Sequence, residues 1–202
     1  MKNPKQDYKI IHPKTRGQWR KWLEKNHAGS PGVWLTYYKK ETGKREFSTG
    51  DAVEEALCFG WIDSLSRKLD KERTLLKFTP RKPKSVWSKL NKQRIEKLID
   101  QKLMTAAGLR KIEEARENGS WNSLDSSDFH TENNSLPDDL RKALGKNKRA
   151  MKNFLAFPPS YRKRFLFWID SARTPLTKAA RIHQTLLMAA ANKKPGVKGF
   201  KL

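Results

Sequence analysis

Cysteine occurs once in this 202-residue chain, at Cys58, and acidic side chains are outnumbered 21 to 44 by Lys and Arg. A single cysteine closes no intrachain disulfide, which excludes a crosslinked secreted scaffold. Long hydrophobic runs are missing too. The longest strictly apolar stretches are Phe165–Ile169 and Leu186–Ala191, far short of the roughly 20 residues of a membrane span. The four histidines, His12, His27, His130 and His183, stand at no metal-ligand spacing from one another, and Cys58 has no second cysteine, so no metal is expected. His183 sits beside an apolar stripe and reads as a core or boundary histidine. Neither G-x-x-x-x-G-K-[ST] nor G-x-G-x-x-G occurs, and no cofactor is expected. Met1–Lys5 is basic with no apolar stretch after it, which predicts no secretory signal and a cytoplasmic location.

What the chain has in quantity is positive charge and aromatic bulk. The net charge is +23, divided as +12 over residues 1–100 and +11 over the rest. A cationic surface attracts polyanions, but charge alone carries no specificity. Seven Trp, nine Phe and four Tyr supply core material, which argues against disorder throughout.

Thr15-x-x-Gln18 predicts a capping box opening a helix to about His27, with Trp19, Trp22 and Leu23 on one face. Val33–Tyr38 reads as a strand, being β-branched and aromatic. Ser48-Thr49-Gly50-Asp51 opens a second helix burying Ala52, Val53, Ala56 and Leu57, with Glu54 and Glu55 toward solvent and Gly60 as its stop. Trp61–Leu69 and Arg73–Thr79 form a hairpin. Alternation puts Trp61, Asp63, Leu65, Arg67 and Leu69 on one face of its first strand, and Leu76 and Phe78 together on the second. Ser85 is a candidate cap for a helix to about Lys102 burying Leu90, Ile95, Leu98 and Ile99. Thr105 caps another to Asn118 with Leu109, Ile112 and Ala115 inward. Residues 120–136 are rich in Ser, Asn and Asp and read as a linker. Short helices are expected over Leu136–Leu144, Lys146–Phe157 and from Pro158-Pro159-Ser160. A last one, capped by Thr177, turns Ala179, Ile182, Leu186, Leu187 and Ala190 inward.

The order helix, strand, helix, hairpin, helices predicts an α+β fold: a small antiparallel sheet packed by helices, followed by an all-helical C-terminal segment. The expected organisation is an α+β domain over 1–119, a linker over 120–136, a helical segment over 137–192 and a flexible basic tail over 193–202.

One patch concentrates residues able to bind. Asp63, on the face of Trp61, is a partly desolvated carboxylate in need of a partner, with Arg67 and Arg81 as candidates. Trp87, Asn91 and Arg94 recur at helical spacing and can line the same cavity. Trp61, Asp63, Arg67, Arg81, Trp87, Asn91 and Arg94 thus form either a pocket for an anionic or planar ligand or a structural ion pair walled by core tryptophans. Cys58, at the apolar end of a helix, reads as a small hydrophobe.

The stretch Glu55-Ala56-Leu57-Cys58-Phe59-Gly60-Trp61-Ile62-Asp63-Ser64 resembles the YdeI/OmpD-associated, or bacteriocin-protection, family. So do Phe78-Thr79-Pro80-Arg81, Trp87-Ser88, Asn91, Arg94 and Glu117–Trp121, and toward the C-terminus Phe154, Pro159-Ser160, Trp168-Ile169, Ala172, Thr177 and Arg181-Ile182. The resemblance runs from about Trp19 to Asn192. It implies a bacterial or archaeal protein tied to envelope stress and to tolerance of cationic antimicrobial peptides, with an outer-membrane porin as a partner. The family is described as periplasmic, and no enzyme activity is implied. A non-enzymatic binding or adaptor protein is the leading expectation. Nucleic-acid binding through the basic surface and an enzyme acting on an anionic small molecule stand as alternatives.

Overall fold

β-Branched and aromatic residues extend the chain over Val33–Tyr38 (β2), between the hairpin partner Arg73–Pro80 (β4) and a short edge strand Ile10–Ile11 (β1). Trp61–Lys68 (β3) completes a four-stranded sheet in the order β1-β2-β4-β3. The computed structural model describes residues 8–44 and 47–195. They fall into two units, Met1–Trp121 and Asn122–Leu202. Met1–Lys5 and residues 196–202 of the expected basic tail lie outside the described residues.

The sheet is mixed, not wholly antiparallel: β2 runs antiparallel to β4 and β4 to β3, whereas β1 lies parallel to β2, with Ile10 opposite Trp34. Two residues of β1 are too few to show a period, which is why the sequence hid it. The register sends Val33, Leu35, Leu76 and Phe78 to one face, where all are buried. Trp34, Thr36, Leu75 and Lys77 take the other face. β3 carries a bulge: the two residues between Asp63 and Ser66 oppose the one between Phe78 and Leu76. Beyond it the alternation reverses. Leu65 and Leu69 are therefore exposed, at 52% and 39%, instead of sharing the face of Trp61.

Helices cover the buried face. α1 (Arg16–Asn26) starts where Thr15 Oγ1 accepts from Gln18 N–H, and it buries Trp19 and Leu23. Its Gln18 side chain accepts from Lys14 N–H, one residue before the cap. α2 (Thr49–Cys58) has a full capping box between Ser48 and Asp51. Trp19 packs on Phe78 with ring centroids 5.3 Å apart, and Trp22 meets Trp61 edge-on at 5.8 Å. α3 (Lys89–Asp100) is capped by Ser88, not Ser85; its buried stripe is Asn91, Ile95 and Leu98, and Leu90 and Ile99, each one residue off that stripe, are exposed. α4 (Ala106–Glu117) is capped by Thr105 and buries Ile112 and Ala115, leaving Leu109 exposed.

In the second unit, the stretch expected as a linker holds a helix, α5 (Asp125–Glu132). Its polar side chains serve the backbone: Ser127 Oγ donates to Leu124 O and Thr131 Oγ1 to Ser127 O. Asp128 is ion-paired with Lys163. α6 (Asp138–Gly145), α7 (Lys148–Ala156), α8 (Pro159–Asp170) and α9 (Pro175–Ala190) follow. Phe154, Phe157 and Phe165 stack at the centre of their core. Thr174 caps α9, and Thr177 supplies the N–H that it accepts. The inward stripe is accordingly Ile182, Thr185, Met188 and Ala189, with Ala179, Leu187 and His183 exposed. Among the described residues no helix is long and apolar enough to cross a membrane.

Candidate functional site

The turn from α2 into β3 is built by two glycines. Gly60 has φ +73°, and a Cβ on it would stand 2.7 Å from Lys111 Cγ and 3.1 Å from Ala107 O. A Cβ on Gly108 would stand 2.3 Å from Cys58 O. Without these side chains α4 closes onto the turn, and Cys58 O accepts from both Thr105 N–H and Thr105 Oγ1. A cleft of about 560 Å³ lies beside it, walled by His27, Phe59, Gly60, Trp61, Pro80 and residues of α4. The α4 wall bears Arg110, Glu113 and Glu117, and an ion pair of 2.7 Å between Lys111 and Glu114. His27 O accepts from Trp61 Nε1 at 3.1 Å, which fixes the indole at the cleft.

Arg81 lies directly behind this turn. Its backbone N–H donates to Gly60 O at 2.9 Å, yet its side chain is only 3% exposed. Nη2 donates to Val86 O at 2.7 Å, and the guanidinium carbon sits 3.5 Å from the Trp87 ring centroid. Nε and Nη1 are buried without a hydrogen-bond partner. Burial pulls the Arg81 pKa down to about 10, and the nearby Asp63 carboxylate offsets only part of that fall. Buried polar groups are ordinarily satisfied, and a buried charge without full pairing is costly. Two orphaned donors on one cation are therefore an invitation to an anion.

The seven residues singled out in the sequence do not form one cluster. Trp61, Asp63, Arg81 and Trp87 come together at the end of the hairpin, with Trp61 opposite Pro80 and Asp63 opposite Phe78. Arg67 lies beyond the bulge on the other face of the sheet, 5.0 Å over the Trp34 ring. Asn91 is buried and its Oδ1 accepts from Arg94 Nη1 at 2.9 Å. The other Arg94 amine lies beside Gly50, at the start of α2.

Sequence reasoning missed a second charged cluster. Glu55 is 3% exposed, not solvent-facing. Arg16 Nε meets Glu55 Oε1 at 2.6 Å and Arg20 Nη1 meets Oε2 at 2.8 Å. Arg16 also pairs with Asp51 at 2.9 Å and with Glu54 at 3.1 Å. Burial, the largest single influence, pulls both guanidinium pKa values down, but the hydrogen bonds to Glu55 and the attraction of the surrounding negative charge together exceed it, and the net direction is up. The signal was present in the four-residue spacings Arg16–Arg20 and Asp51–Glu55, which place each pair on one helix face. Next to this cluster, burial pushes the Cys58 thiol up to about 11, with Glu55 adding to the rise and Arg20 opposing it. A thiol so protonated is a poor nucleophile near neutral pH. Among the described residues no three His, Cys, Asp or Glu side chains stand together as a metal-ligand set.

Residues 11–111, half of the chain, match the model of a domain of unknown function (DUF8412). Residues 134–192 match the family described as bacteriocin-protection, YdeI or OmpD-associated. That second match narrows the resemblance seen over most of the chain: it falls within the helical unit, while the Glu55–Ser64 stretch and Arg81 lie in the first match. No curated protein and no solved structure gives a match.

Proposed function

Taking as premise that the chain belongs, through residues 11–111, to the DUF8412 family, we propose that it is a non-enzymatic binding protein of an envelope-protection system whose first unit receives a small anion at Arg81. The bacteriocin-protection match in the helical unit supports the envelope setting. The observation that carries the binding role is the Arg81 guanidinium, buried against Trp87 with Nε and Nη1 unpartnered. A carboxylate or phosphate group accepts from those donors, while Trp87 holds the guanidinium plane in place. Low local dielectric makes such a bond stronger than in water. Asp63 competes with the incoming anion and so sets its affinity. A porin of the envelope is the partner class that the helical unit's match favours, with the anion site acting as the sensor.

Inorganic phosphate and benzoate serve as probes of the full chain, with thermal stability and calorimetric titration as readouts. Wild type is expected to gain stability with either probe, Asp63→Asn to bind more tightly, and Arg81→Met to lose the response. Equal responses in wild type and Arg81→Met, or no response from wild type, would remove the proposal.

A further inference from the structure

The outer face of the sheet is a second binding surface of different chemistry. Opposite the buried Val33, Leu35, Leu76 and Phe78, the register turns Ile10, Trp34 and Lys77 outward, and the β3 bulge brings Arg67 to the same side, opposite Leu75. Ile10 is 54% exposed, Arg67 is exposed, Trp34 and Lys77 are half-buried, and Thr36 and Leu75 on the same face are buried. Two aromatic rings carry cations here: Arg67 over Trp34 at 5.0 Å and Lys77 over Tyr8 at 4.2 Å. Tyr8 has a seat made for it, since a Cβ on Gly32 would stand 2.5 Å from Tyr8 Cε1. None of the strand residues turned to this face is acidic, and among the described residues neither Arg67 nor Lys77 is ion-paired.

We infer that this face binds single-stranded nucleic acid. Phosphates pair with Arg67 and Lys77, while bases stack on the guanidinium plane and the aromatic edges beneath it, a combination tolerant of sequence. A duplex hides its base faces, and a short four-stranded sheet face offers no helix for a groove, so the surface favours a single strand. The chain's net charge of +23 adds attraction at long range. This inference uses none of the residues around Arg81 and stands or falls apart from that site.

The experiment is fluorescence anisotropy of the full chain with a labelled oligothymidylate of about 15 nucleotides, across about 50 to 200 mM salt. Arg67→Gln with Lys77→Gln is expected to weaken binding about tenfold and to lower the log–log salt slope by about 1 to 2. The exposed pair Lys148→Gln with Lys152→Gln, an equal charge change in the helical unit, is expected to weaken it no more than about twofold. Trp34→Ala is expected to cost about tenfold and Trp34→Phe to recover most of it. Equal losses in the two charge-matched pairs would reduce the surface to a diffuse polycation effect. A duplex of the same length held as tightly as the single strand, or anionic phospholipid vesicles bound in its place, would overturn the assignment.

Discussion

Replacing Arg81 by Met removes a buried cation while keeping an unbranched side chain against Trp87. Three quantities decide the outcome. The fall of the Arg81 pKa to about 10 corresponds to a net cost of about 3 kcal/mol for the charged form, burial less the attraction of Asp63. Against it stand the hydrogen bond to Val86 O, about 1.5–2 kcal/mol for a charged donor, and the contact with the Trp87 face, about 1–2 kcal/mol when desolvated. The gains and losses cancel to within about 1 kcal/mol, so Arg81→Met is expected to leave the stability of the first unit almost unchanged. Urea unfolding followed by tryptophan emission reads this unit, since six of the seven tryptophans, all but Trp168, lie at or before Trp121. The midpoint should move little and the slope should stay constant. A loss of about 3–5 kcal/mol would refute the reasoning. It would mean that Asp63 and Arg81 form a tight structural pair whose disruption strands a buried charge. A residue that costs nothing to remove and yet carries ligand binding is one maintained for function.

Glu55→Gln should behave in the opposite way, losing about 3 kcal/mol in the same urea assay, because it leaves Arg16 and Arg20 facing a neutral amide at the buried end of their network. Cys58 should resist iodoacetamide at pH 8 in the folded chain and react once urea unfolds it. Its folded pKa of about 11 lies above its ordinary value near 9. Its contribution to stability is therefore complete below about pH 9 and is lost as pH rises toward 11, by up to about 3 kcal/mol. Cys58→Ala should flatten that part of the pH–stability curve, and an unchanged curve would count against the burial of the thiol.

The features legible in the sequence were those determined by near neighbours. Thr15, Ser48 and Thr105 cap where expected because a cap is a contract between residues three positions apart. The hairpin and β2 followed from alternation and turn chemistry. Where two hydroxyl residues competed, local pattern chose badly: Ser88 won over Ser85 and Thr174 over Thr177. Pro175 at the first helical position was the overlooked sign of the second. What the sequence did not disclose depends on distant segments. Glu55 turns inward only because α1 delivers two guanidiniums to it. The separation of Arg67 from Asp63 needed the bulge, and the orphaned donors of Arg81 follow from how the Val86–Trp87 loop wraps it. The residue types of the candidate site were thus visible, but not their division between two faces of one sheet.

The extra residue between Asp63 and Ser66 makes β3 a strand of double allegiance. Its first half faces the buried tryptophans, and its second half turns Arg67 to the open side. Substitution at Ser64 or Leu65, both exposed, leaves that exchange intact, and deleting either one keeps Ser66 and Arg67 in step with Leu76 and Leu75 along a regular ladder. Straightening the bulge at full length, by contrast, would turn Leu65 and Arg67 toward the helices and put Ser66 and Lys68 on the side of Trp34. Pairing register, rather than the identity of the side chains at Ser64 and Leu65, is what holds Arg67 beside Trp34.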